Sequence, residues 1–201
     1  IEGRFPDIRV IRLSKNIGFA AANNLAVQQV KDCRWVALLN PDAFAEPDWL
    51  LNLHQAAEEN PAFSFFGSHM KQYGSSGHLD GTGDIYHLSG LAWRRDHGIS
   101  EDKISRSSSE IFSPCAAAAM YKRESFLDAG GFDESFFCYF EDVDLAFRLR
   151  LLGQRCLYVP SAKVEHVGSA TTERRSDFAV YHGHRNMVWT YVKNMPSMLF
   201  W

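Results

Sequence analysis

Five consecutive apolar residues, Trp35-Val36-Ala37-Leu38-Leu39, stop at Asn40-Pro41-Asp42. That segment constrains the chain more than any other. An unbroken apolar run this short, closed by turn residues, fits a strand buried on both faces, as in parallel sheets. The neighbouring patterns agree. Ile8 to Leu13 alternates apolar and basic residues, the period of a strand. Phe19 to Val30 has a helical spacing, with Ala22, Leu25, Ala26 and Val30 on one face. Pro47 and Asp48 open a second helix running to about Asn60, and Phe63 to Gly67 is a third strand. Alternating strands and helices predict an α/β layer with a parallel sheet, whose ligands bind beyond the carboxyl ends of the strands. Asn16 to Gly18 and Asn40 to Asp42 lie at such ends.

Residues 71–113 are rich in Gly, Ser, His and Asp without a clear period, and read as a long functional loop. Ala116 to Met120 reads as a buried strand. Glu124 to Ala129 is a short helix stopped by Gly130-Gly131, and Glu141 to Leu152 a longer one stopped at Gly153. Cys156 to Pro160 is a short strand, and Asp177 to about Asn194 an amphipathic helix. With 201 residues and 46% apolar content, the chain suits one domain with a real core. The net charge of −3 argues against nucleic-acid binding, and no apolar run nears the roughly 18 residues of a membrane span. Cys33, Cys115, Cys138 and Cys156 form no CxxC pair and are expected as reduced thiols. Residues 1–4 read like a tag remnant, leaving 5–201 as the domain.

Three places carry candidate chemistry. Asp42, fixed by Pro41 at a strand end, suits a hard divalent cation that shares its ligands with substrate phosphates; Asn-Pro-Asp is equally an ordinary turn. Glu141-Asp142 opens a helix behind the aromatic run Phe136 to Phe140. The pair suits a general base in an aromatic, water-poor wall, and equally helix N-terminal charge. His166 follows a strand and reads as a metal or diphosphate ligand or as a satisfied structural histidine. The remaining histidines show no ligand spacing. GxGxxG, GxxxxGK[ST], HExxH and GxSxG are absent, and Gly81-Thr82-Gly83 is too short for a phosphate loop.

In order and spacing, several segments resemble the family 2 glycosyltransferases of the GT-A fold, in the rhamnosyltransferase-like branch that builds bacterial cell-surface polysaccharide. They are Asn16 to Asn24, Leu39 to Asp42, Gly130 to Glu134, Phe137 to Leu145, Arg148, Gly153, Val159-Pro160, His166 and Arg185-Asn186. The resemblance implies a Rossmann-like, mostly parallel sheet flanked by helices. It implies Asp142 as catalytic base with Glu141 beside it, and Asn16, Gly18, Asn40 and Asp42 at the nucleotide-sugar. Asp42 and His166 would hold Mg²⁺ or Mn²⁺. The donor would be a dTDP- or UDP-sugar and the acceptor a saccharide or lipid-linked saccharide. The setting would be cytoplasmic, with peripheral association at the inner face of the membrane. Residues 80–97 would be the variable insert that shapes acceptor binding, and 177–201 a C-terminal helix and tail. The family's first strand and its base-binding loop have no counterpart before Phe5, so the chain reads as truncated. That departure leaves a non-catalytic carbohydrate-binding remnant as the alternative, with a metal-dependent phosphohydrolase behind it. Cys115 stands where the family has glycine. The apolar end Met198 to Trp201 is expected to be covered by further chain, a partner or a membrane.

Overall fold

The computed structural model describes residues 3–75, 77–168 and 176–199. Its elements in chain order are α1 (Gly18–Gln29), β1 (Trp35–Leu39), β2 (Ala43–Ala45), α2 (Trp49–Glu59), β3 (Phe65–Gln72), β4 (Leu79–Gly81), β5 (Asp84–Tyr86), β6 (Ala92–Arg94), β7 (Ser109–Ile111), β8 (Ala118–Lys122), α3 (Arg123–Asp128), α4 (Glu141–Leu151), β9 (Cys156–His166) and α5 (Asp177–Asn194). The main sheet runs β1-β8-β3-β9-β2, with β4 on β3 and β7 on β9, while β5 and β6 form a separate hairpin.

Alternation along the strands splits the core into two layers. Phe65, Ala119, Tyr121 and Tyr158 face one side with Ala20 and Val27 of α1, Phe126 of α3, and Leu145 and Leu149 of α4. Phe66, Ala118, Met120, Leu157 and Val159 face the other, with Trp49, Leu53 and Ala57 of α2. The result is a three-layer α/β/α fold, as the sequence predicts. Phe65, Phe66 and Phe126 are wholly buried, and truncation of such a side chain to alanine costs about 3–5 kcal/mol.

Several expectations are corrected. The sheet is mixed: β3 and β9 run parallel, and the other pairings among the described residues are antiparallel. β1 pairs only β8, antiparallel, and Leu39 is 44% exposed, so the apolar run forms an edge strand among the described residues. Residues 8–13 form no strand; Ile8, Ile11 and Leu13 are exposed there, and alternation makes a strand only where a partner supplies the ladder. On α1 the buried positions are Gly18, Ala20, Asn24 and Val27, while Val30 is exposed. Residues 71–113, read as a loop, contain four short strands, β4 to β7. The last helix keeps its limits, but its polar side faces inward. Asn186, Thr190 and Asn194 are buried, whereas Val180, Tyr181, Val188 and Val192 are exposed. Buried hydrogen bonds from this side join ring contacts such as Phe136–Trp189 and Phe137–Phe178 in holding it in place. Of the expected apolar end, Met198 and Leu199 are exposed, and Phe200 and Trp201 lie outside the described residues, as do Ile1 and Glu2.

One further correction positions the site. The short strand expected over Cys156 to Pro160 runs on to His166, although proline cannot donate to a ladder. The β3–β9 register jumps from Ser68↔Val159 to His69↔Lys163, and pairing resumes through to His166. The chain bulges past the proline, and the strand carries His166 to the end of the sheet, opposite Ala43.

Candidate active site

Asp42 and His166 meet because of that register. Ala43 pairs with His166, and the Val167 N–H donates to the Asp42 carbonyl at 3.0 Å. His166 Nε2 then lies 3.6 Å from Asp42 Oδ1. Asn40 closes the turn before Asp42: its N–H donates to the Ala117 carbonyl at 2.8 Å, and its carbonyl accepts from Ala43 at 3.0 Å. All three face a cleft of about 810 Å³, within the range of small-molecule sites.

Glu141 and Asp142 line the same cleft from the start of α4. The turn leading to them has left-handed backbone at Phe137 (φ 66°), Tyr139 (φ 67°) and Phe140 (φ 65°), each strained for a residue with a side chain. The Asp142 carboxylate accepts from the Ala116 N–H, in the loop before β8, at 3.1 Å and from the Val143 N–H at 2.9 Å, the second lying in the first turn of α4, where a helix favours an anion. Glu141 is buried, and its Oε2 has no hydrogen-bond partner. Burial, then the neighbouring Asp142 charge, pushes its pKa up to about 8.

Asn16 and Gly18 do not line the cleft. The Gly18 N–H donates to Asn16 Oδ1 at 2.9 Å, and the turn opens α1. Gly18 has φ 85°, and a Cβ there would sit 2.6 Å from the Phe137 ring, so only glycine fits. The turn brings Phe19, the next residue, to the cleft wall.

Asp80, Asp84, Arg94 and His97 also face the cleft; the sequence places them in the acceptor-shaping insert 80–97 but assigns none of them an individual role. Arg94 Nη1 donates to Asp80 Oδ2 at 2.9 Å and its Nε to Asp84 Oδ1 at 3.2 Å. Asp80 Oδ2 also lies 2.9 Å from His166 Nδ1. Burial opposes charge on Asp80, but the His166 hydrogen bond and the Arg94 cation outweigh it, so its pKa falls below the ordinary value. Asp84 moves the other way, up to about 7, because burial and the Asp142 charge outweigh Arg94. The legible signal was Asp80-Gly-Thr-Gly-Asp84, two acids around paired glycines. Cys115 is buried at the cleft wall, and burial raises its thiol pKa to about 12.

Among the described residues no three His, Cys, Asp or Glu side chains gather as a metal cage. The Asp42–His166 pair is still suited to a hard cation. Two donors each about 2.1 Å from one ion can lie up to about 4.2 Å apart, and such ions take further ligands from substrate phosphates. Among the described residues no helix is long and apolar enough to cross a membrane.

This layering and cleft define a GT-A glycosyltransferase fold. GalNAc-T7, solved with UDP, GalNAc and Mn²⁺, superposes at a TM-score of 0.67 with 16% identity, over 90% of this chain and 35% of its own. The mannosyltransferase PcManGT of Pyrobaculum calidifontis, solved with GDP-Man and Mn²⁺, gives a TM-score of 0.60 with 15% identity, over 95% and 48%. The description "Glycosyl transferase family 2" matches residues 1–129, and the chain belongs to that family. It is 32% identical to the rhamnosyltransferase WbbL of Escherichia coli K12, over 87% of this chain and 70% of WbbL. It is 27% identical to the N-acetylglucosaminyl-diphospho-decaprenol L-rhamnosyltransferase of Mycobacterium tuberculosis, over 89% of this chain and 66% of that protein. The family match takes in Asp42 and stops short of Asp142 and His166.

Proposed function

We propose that the chain carries the active site of an inverting glycosyltransferase. It would move a sugar from a nucleoside-diphosphate donor, UDP- or dTDP-linked, to a saccharide or lipid-linked saccharide in bacterial cell-surface polysaccharide synthesis. The observation that carries the reading is the convergence of Asp42, His166 and Asp142 on one cleft. In this reading the Asp142 carboxylate takes the proton from an acceptor hydroxyl. The hydroxyl oxygen bonds to the anomeric carbon as the bond to the diphosphate oxygen breaks, and the electron pair leaves with the diphosphate. One displacement inverts the centre, so a single base suffices. Asp42 and His166 would hold Mg²⁺ or Mn²⁺, which when bound neutralises charge on the departing diphosphate. Asn40 would border the donor, as would Phe19, which the Asn16–Gly18 turn brings to the cleft wall. Glu141, protonated at neutral pH, lets the acidic pair avoid two adjacent charges. The lipid-linked saccharide in the name of the mycobacterial relative supports work at a membrane surface, which the reading puts at its inner face.

Asp142→Asn tests the reading. With a UDP- or dTDP-sugar panel and a lipid-linked saccharide acceptor, transfer is expected to fall roughly 10²–10⁴-fold with donor binding retained. Transfer at the unaltered rate removes Asp142 from the base role. Glycan binding without donor consumption by the unaltered chain favours a carbohydrate-binding module.

A further inference from the structure

His166 has a buried carboxylate behind it. Asp80 is on β4, which flanks β3 beyond the stretch where β8 pairs. Its side chain is 8% exposed and that of His166 11%. Asp80 Oδ2 takes Arg94 Nη1 at 2.9 Å on one side and lies 2.9 Å from His166 Nδ1 on the other. A carboxylate facing a guanidinium offers only lone pairs, so the ring nitrogen against it carries the hydrogen. A neutral imidazole has one N–H, which leaves Nε2 bare. The far side of the ring agrees independently. Nε2 stands 3.6 Å from Asp42 Oδ1, beyond the roughly 2.7–3.2 Å of an N–H···O bond. A protonated Nε2 would close that gap and tie both groups to each other; two lone pairs keep it open.

We propose that Asp80 is a positioning residue, holding His166 in the Nδ1–H tautomer and turning the Nε2 lone pair toward Asp42 in the cleft. The purpose of that lone pair, a bond to a cation on the donor diphosphate, rests on the function proposed above; the tautomer does not. A carboxylate behind a ligating histidine also raises its basicity and fixes its plane. Arg94 anchors the carboxylate in turn. Its side chain lies over Gly81, where an added Cβ would clash with Arg94 Cδ and Cγ, so the absence of a side chain at 81 gives Arg94 its path to Asp80.

The experiment is long-range ¹H–¹⁵N correlation on the ¹⁵N-histidine-labelled, metal-free chain, with His166 assigned by its loss in His166→Gln. The wild type is expected to show a protonated Nδ1 and a bare Nε2. Asp80→Ala is expected to mix the tautomers. Asp80→Asn, which keeps an oxygen for both Arg94 and Nδ1, is expected to preserve the wild-type pattern. Mn²⁺ affinity measured with UDP by electron paramagnetic resonance should fall roughly 10–100-fold in Asp80→Ala and recover in Asp80→Asn. A wild type with a protonated Nε2 overturns the assignment, even if Asp80→Ala does not fold. So does an Asp80→Ala protein that folds and keeps the wild-type pattern. A wild type with the expected tautomer but no Mn²⁺ binding in the presence of UDP leaves the assignment standing and overturns the cation reading.

Discussion

Glu141 and Asp142 are neighbours in the chain with opposite surroundings. Asp142 accepts two backbone N–H bonds, whereas Glu141 Oε2 is buried with no partner. The folded state therefore keeps a proton on Glu141, whose pKa is about 8 against an ordinary 4.5, that the unfolded chain has released. Native protein holding more protons than unfolded protein means stability falls as pH rises. The contribution is fully present below about 4.5 and is lost progressively up to about 8. Glu141→Gln keeps the shape and removes the titration. Its melting temperature is expected to decline less than that of the wild type across this window, and to exceed it by several degrees at the upper end, since each kcal/mol is worth about 2–4 °C in a chain of this size. Thermal melts of both proteins in a pH series decide it; parallel curves would mean that Glu141 titrates normally.

At the scale of elements, the aromatic turn ahead of α4 is held by α5. Asn186, wholly buried, donates from Nδ2 to the carbonyls of Phe136 at 3.0 Å, Cys138 at 2.9 Å and Tyr139 at 2.7 Å. Asn194 of the same helix donates to Asp144 at 2.7 Å, which Lys193 and Arg148 also pair. Three left-handed residues in four persist only if their surroundings hold them, and Asn186 is a large part of that hold. Asn186→Ala leaves the Cys138 and Tyr139 carbonyls without this donor, while Phe136 keeps the Cys138 and Arg185 N–H groups, at about 1–3 kcal/mol for each group left unpaired. The expected outcome is a melting temperature lowered by about 5 °C or more. The turnover rate should drop further than donor affinity does, because the turn aims Asp142 rather than the Asp42–His166 pair. A drop in stability alone, with steady-state kinetics unaltered, would separate the turn from catalysis. These contacts also mark the limit of what was legible. The bounds of α5 follow from its spacing, but which side turns inward depends on carbonyls some fifty residues away, and no local period reports them. Similarly, β9 was cut at Pro160 because a bulge is set by the partner strand's register, which the strand's own residues do not show.

For the molecule as a whole, the parts of the site at the ends of long, patterned elements were readable: Asp42 after β1, Asp142 at the start of α4 and His166 after a strand. The parts supplied by β4 and the β5–β6 hairpin were not. Strands of three residues have too few positions to display a period, and Asp80, Asp84 and Arg94 converge only through sheet pairing. Those residues change the electrostatics of the cleft. Asp42, Asp80, Asp84 and Asp142 face Arg94, His97 and His166, with Glu141 neutral beside them, Arg94 is already shared by two acids, and the chain's net charge is −3. A nucleoside diphosphate entering alone would add negative charge to negative charge, so its binding should require a cation at Asp42 and His166. UDP with Mn²⁺ at about 100 times its dissociation constant would stabilise the fold by about 2.7 kcal/mol, which is about 5–11 °C in melting temperature. UDP with EDTA should give no shift, and Asp42→Ala should abolish the shift seen with Mn²⁺. An equal shift in EDTA would place the diphosphate on the cleft's own cations and remove the divalent ion from donor binding.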